Sequence, residues 1–113
     1  MVTHITITAA PSPVTIRAGG TLLGTSAAAL ELKEGSYPPV LYIPRADIDM
    51  SRLERSERSS TCPWKGKASY YAIVTPEGRL DNAVWSYEAP TPDMQAIAGH
   101  LAFYPDKVTI TKG

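Results

Sequence analysis

The chain has 113 residues, 43% of them hydrophobic and 19% charged, and its eleven basic and eleven acidic side chains cancel. That length buries a real core without staples and fits one domain over residues 1–113. Zero net charge argues against a polyanion binder, so no nucleic-acid partner is expected, and the single cysteine excludes an internal disulfide or a multi-thiolate zinc site.

Ten prolines and eight glycines punctuate the chain at short intervals, a spacing that suits strands and turns. "HITIT" alternates apolar and polar residues and reads as a strand or ordered tail within a lead-in over 1–13. The lead-in lacks the basic region and apolar core of a signal peptide. "VTIRAGGTLLGTS" reads as a hairpin turning at Gly19-Gly20, both glycines accepting positive φ. "AAALELKEG" is expected as a strand ending at Gly35. "PPVLYIP" is a third strand, bounded by prolines that cannot donate to a ladder. "TLLGTSAAALEL" is too short and polar to cross a bilayer, so a soluble, cytoplasmic, reduced protein with no membrane partner is expected.

"DMSRLERSE" can hold one helical turn, capped by Asp49 or Ser51 with Leu53 turned inward. "ASYYAIV" and "LDNAVWSYE" flank the turn "TPEGR" and should pair antiparallel. On one face of the second, Trp85 and Tyr87 are expected beside Ala83 and Asp81. "TPDMQAIAG" reads as a short helix with Thr91 as cap, Pro92 at its first position and Gly99 as stop. "LAFY" and "VTIT" are expected to close a last hairpin around "PDK". The fold class is therefore mainly β: one compact antiparallel domain with one or two helical turns.

Chemistry concentrates in two stretches. In "STCPWKGK", Lys65 or Lys67 would stabilise a Cys62 thiolate, making that residue a candidate nucleophile. Against this, no histidine or second cysteine lies nearby in sequence, and free cysteine is commonly a buried packing residue. The hydroxyls of Ser59, Ser60 and Thr61 with Lys65 and Gly66 suggest an anion-holding loop without P-loop spacing. In "YIPRADID", Asp47 and Asp49 would share one face of an extended segment and could hold a divalent ion for nucleotidyl transfer. The plainer reading is an Arg45–Asp47 ion pair plus an Asp49 cap, with no metal. Small residues beside Tyr70, Trp85 and Tyr87 leave room for a ligand or simply interdigitate as core.

"YIPRADI", "TCPWKGKASYY", "AVWSYEAPTP" and "IAGHLAFY", in this order, resemble the bacterial domain of unknown function 427 family, from about Val14 to Ile110. That family carries Cys-Pro-aromatic-Lys-Gly and Trp-x-Tyr-x-x-Pro motifs, and Trp64 stands where tyrosine is more usual. The resemblance implies a fold similar to Mss4-like β-tent domains, without their paired zinc-binding cysteines or reductase chemistry. It also implies a nucleotidyltransferase-like label, although that architecture is usually α/β. By matching position it nominates Tyr42, Pro44, Arg45, Asp47, Cys62 and Pro63, then Trp64, Lys65, Gly66 and Tyr70, and finally Trp85, Tyr87, Pro90 and Phe103.

The reading that joins these features is an aromatic-walled pocket for a small anionic metabolite or nucleotide. Arg45, Asp47, Cys62 and Lys65 would form its rim, and Tyr42, Trp64, Tyr70, Trp85 and Tyr87 its wall. The sequence leaves any cofactor unassigned. Alternatives are an enzyme using Asp47 and Asp49 or the Cys62 thiol, and a protein-interaction module using exposed aromatics.

Overall fold

The computed structural model describes residues 4–113; Met1–Thr3, the start of the expected lead-in, lie outside the described residues. Three antiparallel sheets are formed. The first contains β1 (Ile5–Ala9), β4 (Leu30–Glu34) and β5 (Val40–Tyr42), in that order. The second runs β10 (Thr109–Lys112), β2 (Val14–Ala18), β3 (Thr21–Ser26). The third runs β6 (Leu53–Cys62), β7 (Gly66–Thr75), β8 (Gly78–Ser86), β9 (Leu101–Phe103). The mainly β expectation holds, and the helical turns are short 3-10 segments. Among the described residues no helix is long and apolar enough to cross a membrane.

The third sheet separates two apolar clusters, because successive side chains leave a strand on opposite faces. Tyr71, Val84 and Phe103 pack with Val14, Ile16 and Leu23 of the second sheet. Tyr70, Trp85 and Ala102 face the other way and meet Ile5, Leu32 and Tyr42 of the first sheet. Ile43 and Leu101 exchange backbone hydrogen bonds of 2.8 Å in both directions, stitching the first sheet to the third. That link sets Tyr42 close enough to Trp85 for the indole N–H to donate to the Tyr42 hydroxyl at 3.3 Å.

Several expectations need correction. Gly19 turns the β2–β3 hairpin at φ +58°, whereas Gly20 is not in the left-handed region. Residues Leu53–Cys62, where a loop was expected around Ser59, Ser60 and Thr61, form a ten-residue edge strand. Its polar, largely exposed side chains show no alternation because only its ends, Leu53 and Cys62, pack against the clusters, and edge charges block stray pairing. The expected single helical turn does form just before this strand, as the 3-10 segment Met50–Arg52 capped by Asp49, whose carboxylate accepts from Ser51 N–H at 3.1 Å. β9 and β10 do not pair with each other: β9 joins β8 and β10 joins β2. All three β9 side chains are buried; β9 is the last strand of the third sheet, and the Ile43–Leu101 bridge covers its far side, which a two-stranded tip would not provide. Ala83 belongs to the first cluster and Trp85 to the second, not to one shared face. The ladder slips between Tyr71 and Ile73, and Asn82 takes φ +50°, a bulge that changes which face follows.

Candidate functional site

The "CPWKG" segment is the tip of the β6–β7 hairpin. Cys62 pairs with Gly66 across it, leaving Pro63, Trp64 and Lys65 as the turn. Gly66 takes φ +106°, a conformation that side-chain-bearing residues resist. Thr91 clamps the tip: its N–H donates to the Lys65 carbonyl at 3.0 Å and its hydroxyl to the Trp64 carbonyl at 2.7 Å. That use of the hydroxyl explains why Thr91 does not cap the 3-10 segment Pro92–Ile97 through its side chain.

So held, Lys65 turns inward and is only 8% exposed. Its ammonium donates to Glu34 Oε1 at 2.8 Å, lies 3.7 Å from Cys62 Sγ and sits 5.9 Å from the centre of the Tyr87 ring. Glu34 reaches this point because it continues the inward face of β4 beyond Leu32 and stands opposite Ile5 of β1. The other carboxylate oxygen lies 3.8 Å from His4 Nε2, and the His4 ring meets Trp64 edge-on at 4.8 Å between centres.

Lys65 and Glu34 stand in a cleft of about 220 Å³ whose walls include Tyr42, Tyr70, Trp85, Tyr87 and Tyr104. Trp85 and Tyr104 lie 4.6 Å apart at their ring centres, and Tyr42 and Tyr87 lie 6.5 Å apart. Burial pushes the Tyr42 phenol up to about 12, against a smaller opposing pull from the Trp85 hydrogen bond. Burial, then the neighbouring Tyr42 and Cys62, push Tyr87 up as well. Both phenols therefore stay protonated at neutral pH and act as donors. The Tyr70 hydroxyl is shared with Ser60 at 2.8 Å. Tyr87 is 7% exposed, and its hydroxyl makes no hydrogen bond with the described residues. The cleft thus presents ring faces, donor groups and one neutralised ion pair.

Tyr42, Lys65, Tyr70, Trp85 and Tyr87 are the nominated residues that come together here. Cys62 does not line the cleft; half-buried, it packs against the second cluster from behind Lys65. Trp64 is 45% exposed and points away. Arg45 lies elsewhere. It donates to Glu88 Oε2 at 3.0 Å and to the Gly99 carbonyl at 3.2 Å, in a network that Arg55 and Tyr71 complete. The expected Arg45–Asp47 pair does not form, because Arg45–Asp47 is itself a 3-10 turn. Asp47 instead accepts from Ser26 at 2.6 Å, while Asp49 serves Ser51, so the two carboxylates do not converge. Among the described residues no group of three or more His, Cys, Asp or Glu could hold a metal ion.

Glu34 and Tyr104 were not singled out from sequence. A carboxylate prolonging the apolar face of "LEL" was the available signal for Glu34; Tyr104, one residue past β9, offered none beyond being aromatic.

No curated protein matches the chain. A family model described as Domain of unknown function (DUF427) matches residues 6–112, beginning inside β1 rather than at Val14. It spans every element that builds the cleft, and on that match the chain belongs to the DUF427 family.

Proposed function

We propose that the protein binds a small organic molecule in the aromatic cleft, with an acceptor oxygen of the ligand meeting the Tyr87 hydroxyl and the Lys65 ammonium. One observation carries this reading: the Tyr87 hydroxyl is a donor on the cleft wall with no protein partner among the described residues. Among the described residues no buried side-chain nitrogen or oxygen lacks a partner, so this hydroxyl opens to the water of the cleft, where a ligand oxygen can take the place of that water as acceptor. The flanking rings offer flat apolar faces for the rest of the molecule.

The ion pair decides the charge of the ligand. Glu34 lies 2.8 Å from Lys65, so the cleft carries no net charge and does not favour the anionic metabolite or nucleotide that a lone lysine suggests. An uncharged carbonyl compound fits better. Thiol chemistry has less support because the Cys62 sulfur is off the wall, and nucleotidyl transfer through Asp47 and Asp49 has less because the two serve separate partners.

The test is a melting-temperature panel of uncharged aromatic amides and ketones beside nucleotides and phosphorylated metabolites, with and without magnesium. A ligand at a hundred times its Kd stabilises the folded state by about 2.7 kcal/mol. Shifts with the carbonyl compounds, reduced in Tyr87→Phe, support the reading. Shifts confined to nucleotides with metal would overturn it.

A further inference from the structure

The cleft does not end at Trp85. On its other side lies a larger groove of about 550 Å³, and the two hollows share Glu34, Tyr37, Pro38, Val40 and Trp85 as lining. Beyond that shared wall the character changes. The groove's own lining is dominated by Pro39, Leu41, Phe103, Pro105 and Ile110, with Glu31 and Lys112 as its charged members. The donors lie at the cleft end: Lys65 and the phenols of Tyr42 and Tyr87. The charged residues of the two linings are Glu31, Glu34, Lys65 and Lys112, which cancel.

We propose that cleft and groove form one binding track for an uncharged amphiphile, whose carbonyl head lies against Tyr87 and Lys65 and whose apolar tail passes Trp85 into the groove. This rests on the cleft reading and adds the ligand class. A tail gains by leaving water along prolines, aliphatics and Phe103. A head with acceptor oxygens meets the donors, and an anionic head at the cleft end would meet a lysine whose charge Glu34 already balances.

N-alkylbenzamides from N-methyl to N-octyl probe head and tail separately. Binding is read by tryptophan fluorescence in a Trp64→Phe background, where Trp85 is the only reporter. The expected result is a Kd that falls by about fourfold for each added methylene until the groove is filled. Ile110→Gln and the loop variant Pro39→Asp should flatten that dependence and leave N-methylbenzamide binding unchanged. Tyr87→Phe should weaken every member by a similar factor. If affinity is independent of tail length, or its tail dependence survives both groove variants, the track is overturned while the cleft reading stands. If no member binds, both fall.

Discussion

Lys65 Nζ lies 2.8 Å from Glu34 Oε1, and the lysine is the more deeply buried of the two side chains. The pair joins the β6–β7 hairpin tip to the end of β4, so it anchors the cleft as well as setting its charge. Removing one partner strands the other charge. Glu34→Gln should therefore cost more, on the order of 2–4 kcal/mol, than Lys65→Met at about 1–2 kcal/mol, since Glu34 retains contact with water. The double variant should recover much of the loss. Urea unfolding of the three variants tests the ranking; equal costs would contradict it.

Glu88 gathers hydrogen bonds from Tyr71 at 2.6 Å, Arg55 at 2.7 Å and Arg45 at 3.0 Å. Partial burial alone would raise its carboxyl, but the bonds from Tyr71 and Arg55 outweigh burial and hold it below the ordinary 4.5. A depressed carboxylate contributes stability that is present above its unfolded value and lost as pH falls through the folded one. Acid titration followed by thermal melts should show stability declining below about pH 4.5, with a shallower decline in Glu88→Gln. Identical acid profiles would remove Glu88 from the account.

The alkaline side runs the opposite way. Tyr42 is raised from 10.0 to about 12 by burial, and Tyr87 is raised too. Such groups contribute stability that is complete below the unfolded value and lost as pH rises through the folded one. Stability should fall between about pH 10 and 12, and Tyr42→Phe should lessen the fall. Ultraviolet titration should show Tyr42 ionising only with unfolding.

Cys62 is half-buried, packs against the second cluster and sits behind a lysine already paired with Glu34. Iodoacetamide should label it at least about tenfold more slowly in the folded protein than in urea. Rapid labelling near neutral pH would return the thiol to the list of candidate nucleophiles.

Local chemistry made much of the fold legible. Proline and glycine bounded β5 and the β2–β3 hairpin, and "TPEGR" announced the β7–β8 turn. Longer-range facts were hidden. β6 carries no alternation because it is an edge strand with little buried surface, and β9 looked like a partner for β10 because the two are neighbours in sequence. The same contrast governs the site. Tyr70, Trp85 and Lys65 converge as their motifs suggested, whereas Arg45 and Asp47 are turned aside by a 3-10 turn that "PRAD" did not announce. Glu34, the partner that changes the charge of the cleft, lies 31 positions from Lys65 and was visible only as a carboxylate on an apolar strand face.

The most direct test of the cleft is nuclear magnetic resonance of the two tryptophan indole N–H groups, assigned with a Trp64→Phe variant, during titration with N-methylbenzamide. The Trp85 signal should move, the Trp64 signal should not, and Tyr87→Phe should weaken the response. Movement at Trp64 alone, or at neither indole, would contradict the cleft reading.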